Sequence, residues 1–128
     1  MRILLDTCAF LWIITDDPKL SDRARNLFLE KSNEVYLSAI STWEITLKYG
    51  LGKLNLPAEP KKYIPNQRKK HHIISSPLDE EATLYISKLP GIHKDPFDRM
   101  LICQAIISDM IILTPDEFIT QYPVKCDW

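Results

Sequence analysis

Five acids in this sequence stand where chemistry, rather than solvation, is the natural use: Asp6, Glu44, Asp95, Asp98 and Asp116. Asp6 closes the continuous apolar run after Arg2, Ile3-Leu4-Leu5, where a carboxylate has little local purpose. Asp95 and Asp98 lie three residues apart in His93-Lys94-Asp95-Pro96-Phe97-Asp98-Arg99-Met100-Leu101, where a polar turn gives way to a long apolar segment. Glu44 follows Trp43 in the first turns of a helical pattern, and Asp116 follows Thr114-Pro115. Like charges packed together raise one another's pKa and cost stability unless a cation bridges them. All-oxygen ligands select a hard divalent ion such as Mg²⁺ or Mn²⁺. Such an ion acidifies a water and neutralises charge growing on a phosphate, so the chemistry indicated is phosphoryl transfer or phosphodiester hydrolysis. No Ser-His or Cys-His arrangement offers a protein nucleophile. The three histidines, His71, His72 and His93, lack zinc-ligand spacing.

Each acid also has a plainer use. Asp95 suits a helix cap, with Pro96 in the first turn and the Asp98 N–H within reach of the Asp95 side chain. Ser41-Thr42-Trp43-Glu44 reads as a capping box, and Asp116 suits a first helical turn. Thr7 and Thr114 adjoin acids at strand ends, where a hydroxyl orients a carboxylate or a water, or satisfies backbone groups. The case for chemistry is convergence: four separate segments deliver acids towards one edge, with no lysine or arginine fixed by the same logic to neutralise them.

The elements that would position these acids alternate along the chain. Short strands are expected at Arg2–Asp6, Val35–Ser38, His71–Ser75 and Met110–Thr114, with a terminal one near Val124. Helical patterns run from Cys8, from Ser21, over Ile40, Trp43, Leu47 and Leu51 as one stripe, from Pro57-Ala58-Glu59-Pro60 to about Lys70, from Pro77 to Leu89, and from Asp95. A short last helix begins around Thr114–Phe118. This alternation predicts an α/β fold: a three-layer domain with a central parallel sheet of four to five strands between helices. In such sheets the site lies at the carboxyl ends of the strands.

The 128 residues suit a single domain spanning 1–128, and 45% hydrophobic with 26% charged content is that of an ordinary globular chain. A net charge of −1 leaves any nucleic-acid surface to local clustering. The one such cluster is Lys61 to His72, holding Lys61, Lys62, Arg68, Lys69 and Lys70, with Tyr63 available for base stacking. It reads either as a solvated helix face or as a phosphate-tracking ridge beside the acids. Cys8, Cys103 and Cys126 read as reduced thiols, and no apolar run approaches a membrane span. A cytoplasmic protein is expected.

Four ordered stretches together resemble the PIN-domain family, and within it the VapC-type toxins of bacterial toxin–antitoxin pairs. They are Leu4-Leu5-Asp6-Thr7 with Ala9-Phe10-Leu11-Trp12; Ser38-Ala39-Ile40-Ser41-Thr42-Trp43-Glu44-Ile45 with Leu51-Gly52-Lys53-Leu54; the His93 to Leu101 stretch; and Thr114-Pro115-Asp116 with Phe118. By that resemblance Asp6, Glu44, Asp98 and Asp116 map onto the family's acidic quartet, and Asp95 onto an extra acid of this branch. Asp6, Asp98 and Asp116 are the expected metal ligands, with Thr7 and Thr114 in support. The resemblance implies Mg²⁺-dependent endonucleolytic cleavage of RNA, a homodimer, and a small antitoxin partner with a DNA-binding part. Cys8 departs from the histidine expected in this branch and bears on local packing. The competing readings are a nuclease acting on structured DNA and a non-enzymatic interaction module whose acids are caps.

Overall fold

The computed structural model describes all 128 residues. Strand β1 (Arg2–Leu5) leads through α1 (Thr7–Ile14) and α2 (Asp22–Leu29) to β2 (Glu34–Ser38). Then come α3 (Ala39–Gly50), α4 (Pro60–Lys70) and β3 (Ile74–Ser76), followed by α5 (Glu80–Leu84) and a 3₁₀ turn over Tyr85–Lys88. Helix α6 (Pro96–Ser108), β4 (Ile111–Leu113), a 3₁₀ turn (Ile119–Gln121) and β5 (Cys126–Asp127) complete the chain. No helix is long and apolar enough to cross a membrane.

All five strands are parallel, in the order β3-β2-β1-β4-β5. Ile3 of β1 lies between Val35 of β2 and Ile111 of β4. The central strands are buried on both faces, which is why they read as continuous apolar runs without alternation. One side of the sheet is covered by α1, α2 and α4, whose Phe10, Ile13, Ala24 and Ile64 pack with Ile3 and Leu5. The other is covered by α6, with Leu101, Ile102 and Ala105 packed on Leu4 and Ile112. Helix α3 serves both sides, Ile45 in one core and Ile40 in the other. The α/β/α layering expected from the alternating pattern is therefore present, with five strands.

Four local expectations are corrected. The helix expected over Pro77–Leu89 is one short α-helix continued as a 3₁₀ turn. The last helix is also only a 3₁₀ turn, whereas the terminal strand expected near Val124 is present, at Cys126–Asp127. In α3 the cap is Ser38, whose hydroxyl accepts from the Ile40 N–H, so Ser41-Thr42-Trp43-Glu44 is not a capping box. The stripe of Trp43, Leu47 and Leu51 is not core: these side chains are 56%, 41% and 61% exposed. The buried face of α3 is instead Ile40, Ser41, Glu44 and Ile45, about one residue out of phase. It turns that way because Ser41 and Glu44 find polar partners on α1, described next.

Candidate active site

In the strand order, β1 lies between β2 and β4, so the chain reverses its direction of travel across the sheet between β1 and β4. The crevice outside the carboxyl ends of two such strands is the general ligand position of open parallel sheets. Asp6 and Thr114 follow these two strands directly. Asp6 is buried, 4% exposed, and both its oxygens are held. Oδ1 accepts from the Cys8 and Ala9 N–H groups at 2.7 and 3.1 Å, which caps α1, and Oδ2 accepts from the Thr114 hydroxyl at 2.5 Å. The Thr114 oxygen in turn accepts from the Asp116 N–H at 3.0 Å. Asp116 Oδ1 accepts from the Phe118 and Ile119 N–H groups at 2.8 and 3.1 Å and fixes the turn after β4.

The third acidic segment is the start of α6. Asp95 Oδ1 accepts from the Phe97 and Asp98 N–H groups at 2.9 and 3.1 Å, the capping geometry expected from the sequence. Gln104 anchors this helix over the same edge of the sheet. Its amide donates to Ser76 Oγ and the Pro77 carbonyl and accepts from the Ser38 hydroxyl, tying α6 to the ends of β2 and β3. Asp98 caps nothing. Burial pushes its carboxyl up to about 6; a hydrogen bond from His93 opposes this, and the charges of Asp95, Asp116 and Asp6 add to it. Thr114 links Asp6 to Asp116 through hydrogen bonds, and the charges of both, with that of Asp95, act on Asp98.

His93 is a site residue that spacing alone does not single out. Its Nε2 lies 3.2 Å from Asp98 Oδ2, its Nδ1 lies 2.7 Å from the Tyr122 hydroxyl, and its ring stacks on Phe118. Arg99 Nη1 lies 3.0 Å from the same hydroxyl and can only donate, so the Tyr122 oxygen accepts from it. With the Tyr122 proton on the side of Nδ1, at 2.7 Å, rather than that of the His93 carbonyl, at 3.4 Å, an N–H on Nε2 faces Asp98.

Glu44 is buried, 6% exposed, and is held differently from the aspartates. The Thr7 hydroxyl donates to its Oε1 at 2.7 Å, with the Ser41 hydroxyl 2.9 Å from Thr7 Oγ1. Lys48 Nζ lies 2.5 Å from its Oε2. The absence of a fixed cation, expected from the sequence, is thus corrected. Lys48 stands one turn after Glu44 on the same helix face, a four-residue spacing visible in the sequence. Its ammonium is held in the charged form by the Glu44 hydrogen bond, against burial, and further by the charges of Glu44, Asp95 and Asp98. Cys8, beside Asp6, stays a thiol: burial first, then the Asp6 charge, pushes its ionisation up out of reach.

The basic stretch divides. Lys61, Lys62 and Tyr63 lie near the start of α4, and Arg68, Lys69 and Lys70 at its end. That end lies at the amino-terminal edge of the sheet. Arg68 Nη1 donates to the Ile73 carbonyl just before β3, and Lys70 shares a cleft with Asn33 and Val35 at the start of β2. The acids occupy the opposite edge, so Arg68, Lys69 and Lys70 do not form a ridge beside them.

The side chains do not make a ready-built metal cage; no group of three or more His, Cys, Asp or Glu is arranged to hold an ion. A hydrated hard ion needs less, since magnesium keeps several waters and uses one or two carboxylates directly. The donor set fits it: carboxylate oxygens, with Asp98 pushed up by burial and by the charges of three other aspartates.

The PIN domain family model matches residues 3–125. No curated protein matches the chain. Among solved structures, VapBC2 from Rickettsia felis, bound to a DNA fragment from its promoter, is similar with a TM-score of 0.75 and 19% identity, over 100% of this chain and 99% of that one. DNA-bound VapBC from Salmonella typhimurium is similar with a TM-score of 0.69 and 17% identity, over 99% and 97%. FitAcB from Neisseria gonorrhoeae has a TM-score of 0.61 and 22% identity, over 97% and 95%. At these identities the likeness is one of fold.

Proposed function

This chain belongs to the PIN domain family, and from that premise we propose that it is a Mg²⁺- or Mn²⁺-dependent endoribonuclease, the toxin of a toxin–antitoxin pair. The observation that carries this is Asp98. It caps no helix, it is partly buried, and it lies within electrostatic reach of Asp6, Asp95 and Asp116 at the carboxyl end of the sheet. A divalent cation bound there supplies Lewis-acid neutralisation of a phosphodiester and acidifies a water for attack on phosphorus. Asp6, Asp98 and Asp116 would hold it. The chain's own part is orientation. Thr114 fixes the carboxylate of Asp6, and Asp95 fixes the first turn of α6 on which Asp98 rides. His93, braced by Tyr122, fixes the Asp98 carboxylate.

Single-stranded RNA is the proposed substrate, because the acids stand at the carboxyl ends of β1 and β4 and a domain of 128 residues leaves little beyond its α/β core to grip a duplex. The VapBC and FitAcB complexes of similar fold support an antitoxin partner. The exposed Trp43 and Leu47 of α3, with Leu51 just beyond it, support a homodimer, since an apolar face of this kind marks an interaction surface.

A second reading has an observation in its favour: Asp6, Asp95 and Asp116 each accept backbone N–H groups, as caps in a non-catalytic interaction module would. Asp98 and Glu44 have no such use and separate the two readings. In the Asp98→Asn variant, Mg²⁺-dependent cleavage of single-stranded RNA should fall at least about 100-fold while the melting transition is kept. Undiminished cleavage removes Asp98 from the mechanism.

A further inference from the structure

Next to the carboxylates lies a cleft of about 290 Å³. Its floor is apolar, from Leu11, Ile45 and Leu54, and Glu44, Lys48 and Lys53 line it too. Glu44 differs from the three aspartates in one respect: it is already paired with a fixed ammonium, Lys48 on one oxygen, while the Thr7 hydroxyl holds the other. A carboxylate so engaged is poorly placed to ligate a cation and well placed to hold an ammonium. An ammonium has three donors. Glu44 takes one and fixes the direction of the side chain. Lys48 Nζ lies 6.0 Å from the centre of the Phe97 ring in the first turn of α6, so it stands between the cleft and the acids of that turn. Lys53 adds a second, exposed positive charge three residues beyond the end of α3.

Two cations over an apolar floor, beside acids suited to a metal, match one chemical unit: a nucleotide with its phosphate on the cations and its base or sugar on the floor. We propose that this cleft binds the nucleotide next to the scissile phosphodiester. In it Lys48 and Lys53 contact the flanking phosphate, and Glu44 is the positioning residue for Lys48 rather than a metal ligand. The inference rests on the nuclease reading and adds a substrate-binding subsite to it. It also supplies the phosphate-binding charges that the far end of α4 is too distant to give.

The test is cleavage of a labelled single-stranded RNA oligonucleotide in Mg²⁺ across a potassium chloride series. Melting curves are taken for every variant, and Lys31→Gln at the far edge of the sheet serves as control. For Lys53→Gln, KM should rise about tenfold, more than kcat falls. The slope of log(1/KM) against log salt should flatten by about 0.7, the change expected when one phosphate fewer is neutralised on a single strand. Lys53→Arg should restore most of both. The Glu44→Gln, Lys48→Gln double variant avoids leaving an unpaired buried charge. It should show the same rise in KM and the same flattening, with an unchanged half-saturating Mg²⁺ concentration. Wild-type KM and salt slope in Lys53→Gln overturn the subsite and leave the nuclease reading standing. A raised Mg²⁺ requirement in the double variant overturns the positioning role of Glu44. A wild-type chain that cleaves no RNA in Mg²⁺ overturns the nuclease reading and the subsite with it.

Discussion

Asp98 carries opposite consequences for stability and for activity. Its carboxyl holds a proton up to about 6 in the folded chain, against an ordinary value of 3.8, because burial and three neighbouring aspartates disfavour its charge. Between those two values the unfolded chain releases this proton first, so the folded state binds more protons and stability falls as pH rises. In the absence of divalent metal, denaturant unfolding at about pH 4 and pH 6.5 should show this loss, and Asp98→Asn should reduce it. Cleavage should run the other way. Only the ionised carboxylate ligates a cation, so the rate should climb through pH about 6 and then level off. A rate flat across that range, or an Asp98→Asn variant that keeps the full stability slope, contradicts this assignment.

Helix α6 shows how one residue performs two separable tasks. Asp95 accepts two N–H groups at the helix start, and it also places a second negative charge near Asp98. Asparagine keeps the acceptor and removes the charge; alanine removes both. Asp95→Ala should cost about 1 kcal/mol in urea unfolding, while Asp95→Asn costs little. Asp95→Asn should also move the inflection of the pH–rate profile to lower pH, since one of the charges that raises Asp98 is gone. An asparagine variant as destabilised as the alanine one would mean the side-chain oxygen is not the cap. In α3 the division is between faces. The buried face takes Ser41 and Glu44 to Thr7 on α1, and the apolar Trp43–Leu47–Leu51 face stays exposed.

The whole molecule gathers the acids by long-range connections. The Thr114–Asp6 hydrogen bond joins residues 108 apart in sequence. Such a site should be felt in global stability. A cation that binds only the folded chain stabilises it by mass action, about 2.7 kcal/mol at a concentration 100 times its Kd. Millimolar Mg²⁺ should therefore raise the melting temperature in a saturable way, EDTA should reverse the gain, and an Asp6→Asn, Asp98→Asn double variant should lose it. Acids that only cap helices would give no such gain. A gain that survives in the double variant places the ion elsewhere.

Local rules already present in the sequence determined the elements and several of their ends. Apolar runs without alternation gave buried parallel strands, and Ser21, Asp95 and Pro96 marked helix starts, because caps and periodicity act over at most four or five residues. Asp6 stood out for the same reason, as an acid closing a buried strand. Only the tertiary structure decided which neighbours those acids have. The strand order set Asp6 against Thr114. Partners on α1 chose the face of α3 that turns inward, and Tyr122, from far along the chain, braced His93 against Asp98. The direction of α4 carried half of the basic stretch to the wrong edge for a ridge beside the acids. These outcomes follow from pairings between distant residues, whose energies depend on shared burial in three dimensions and leave no periodic trace in the chain.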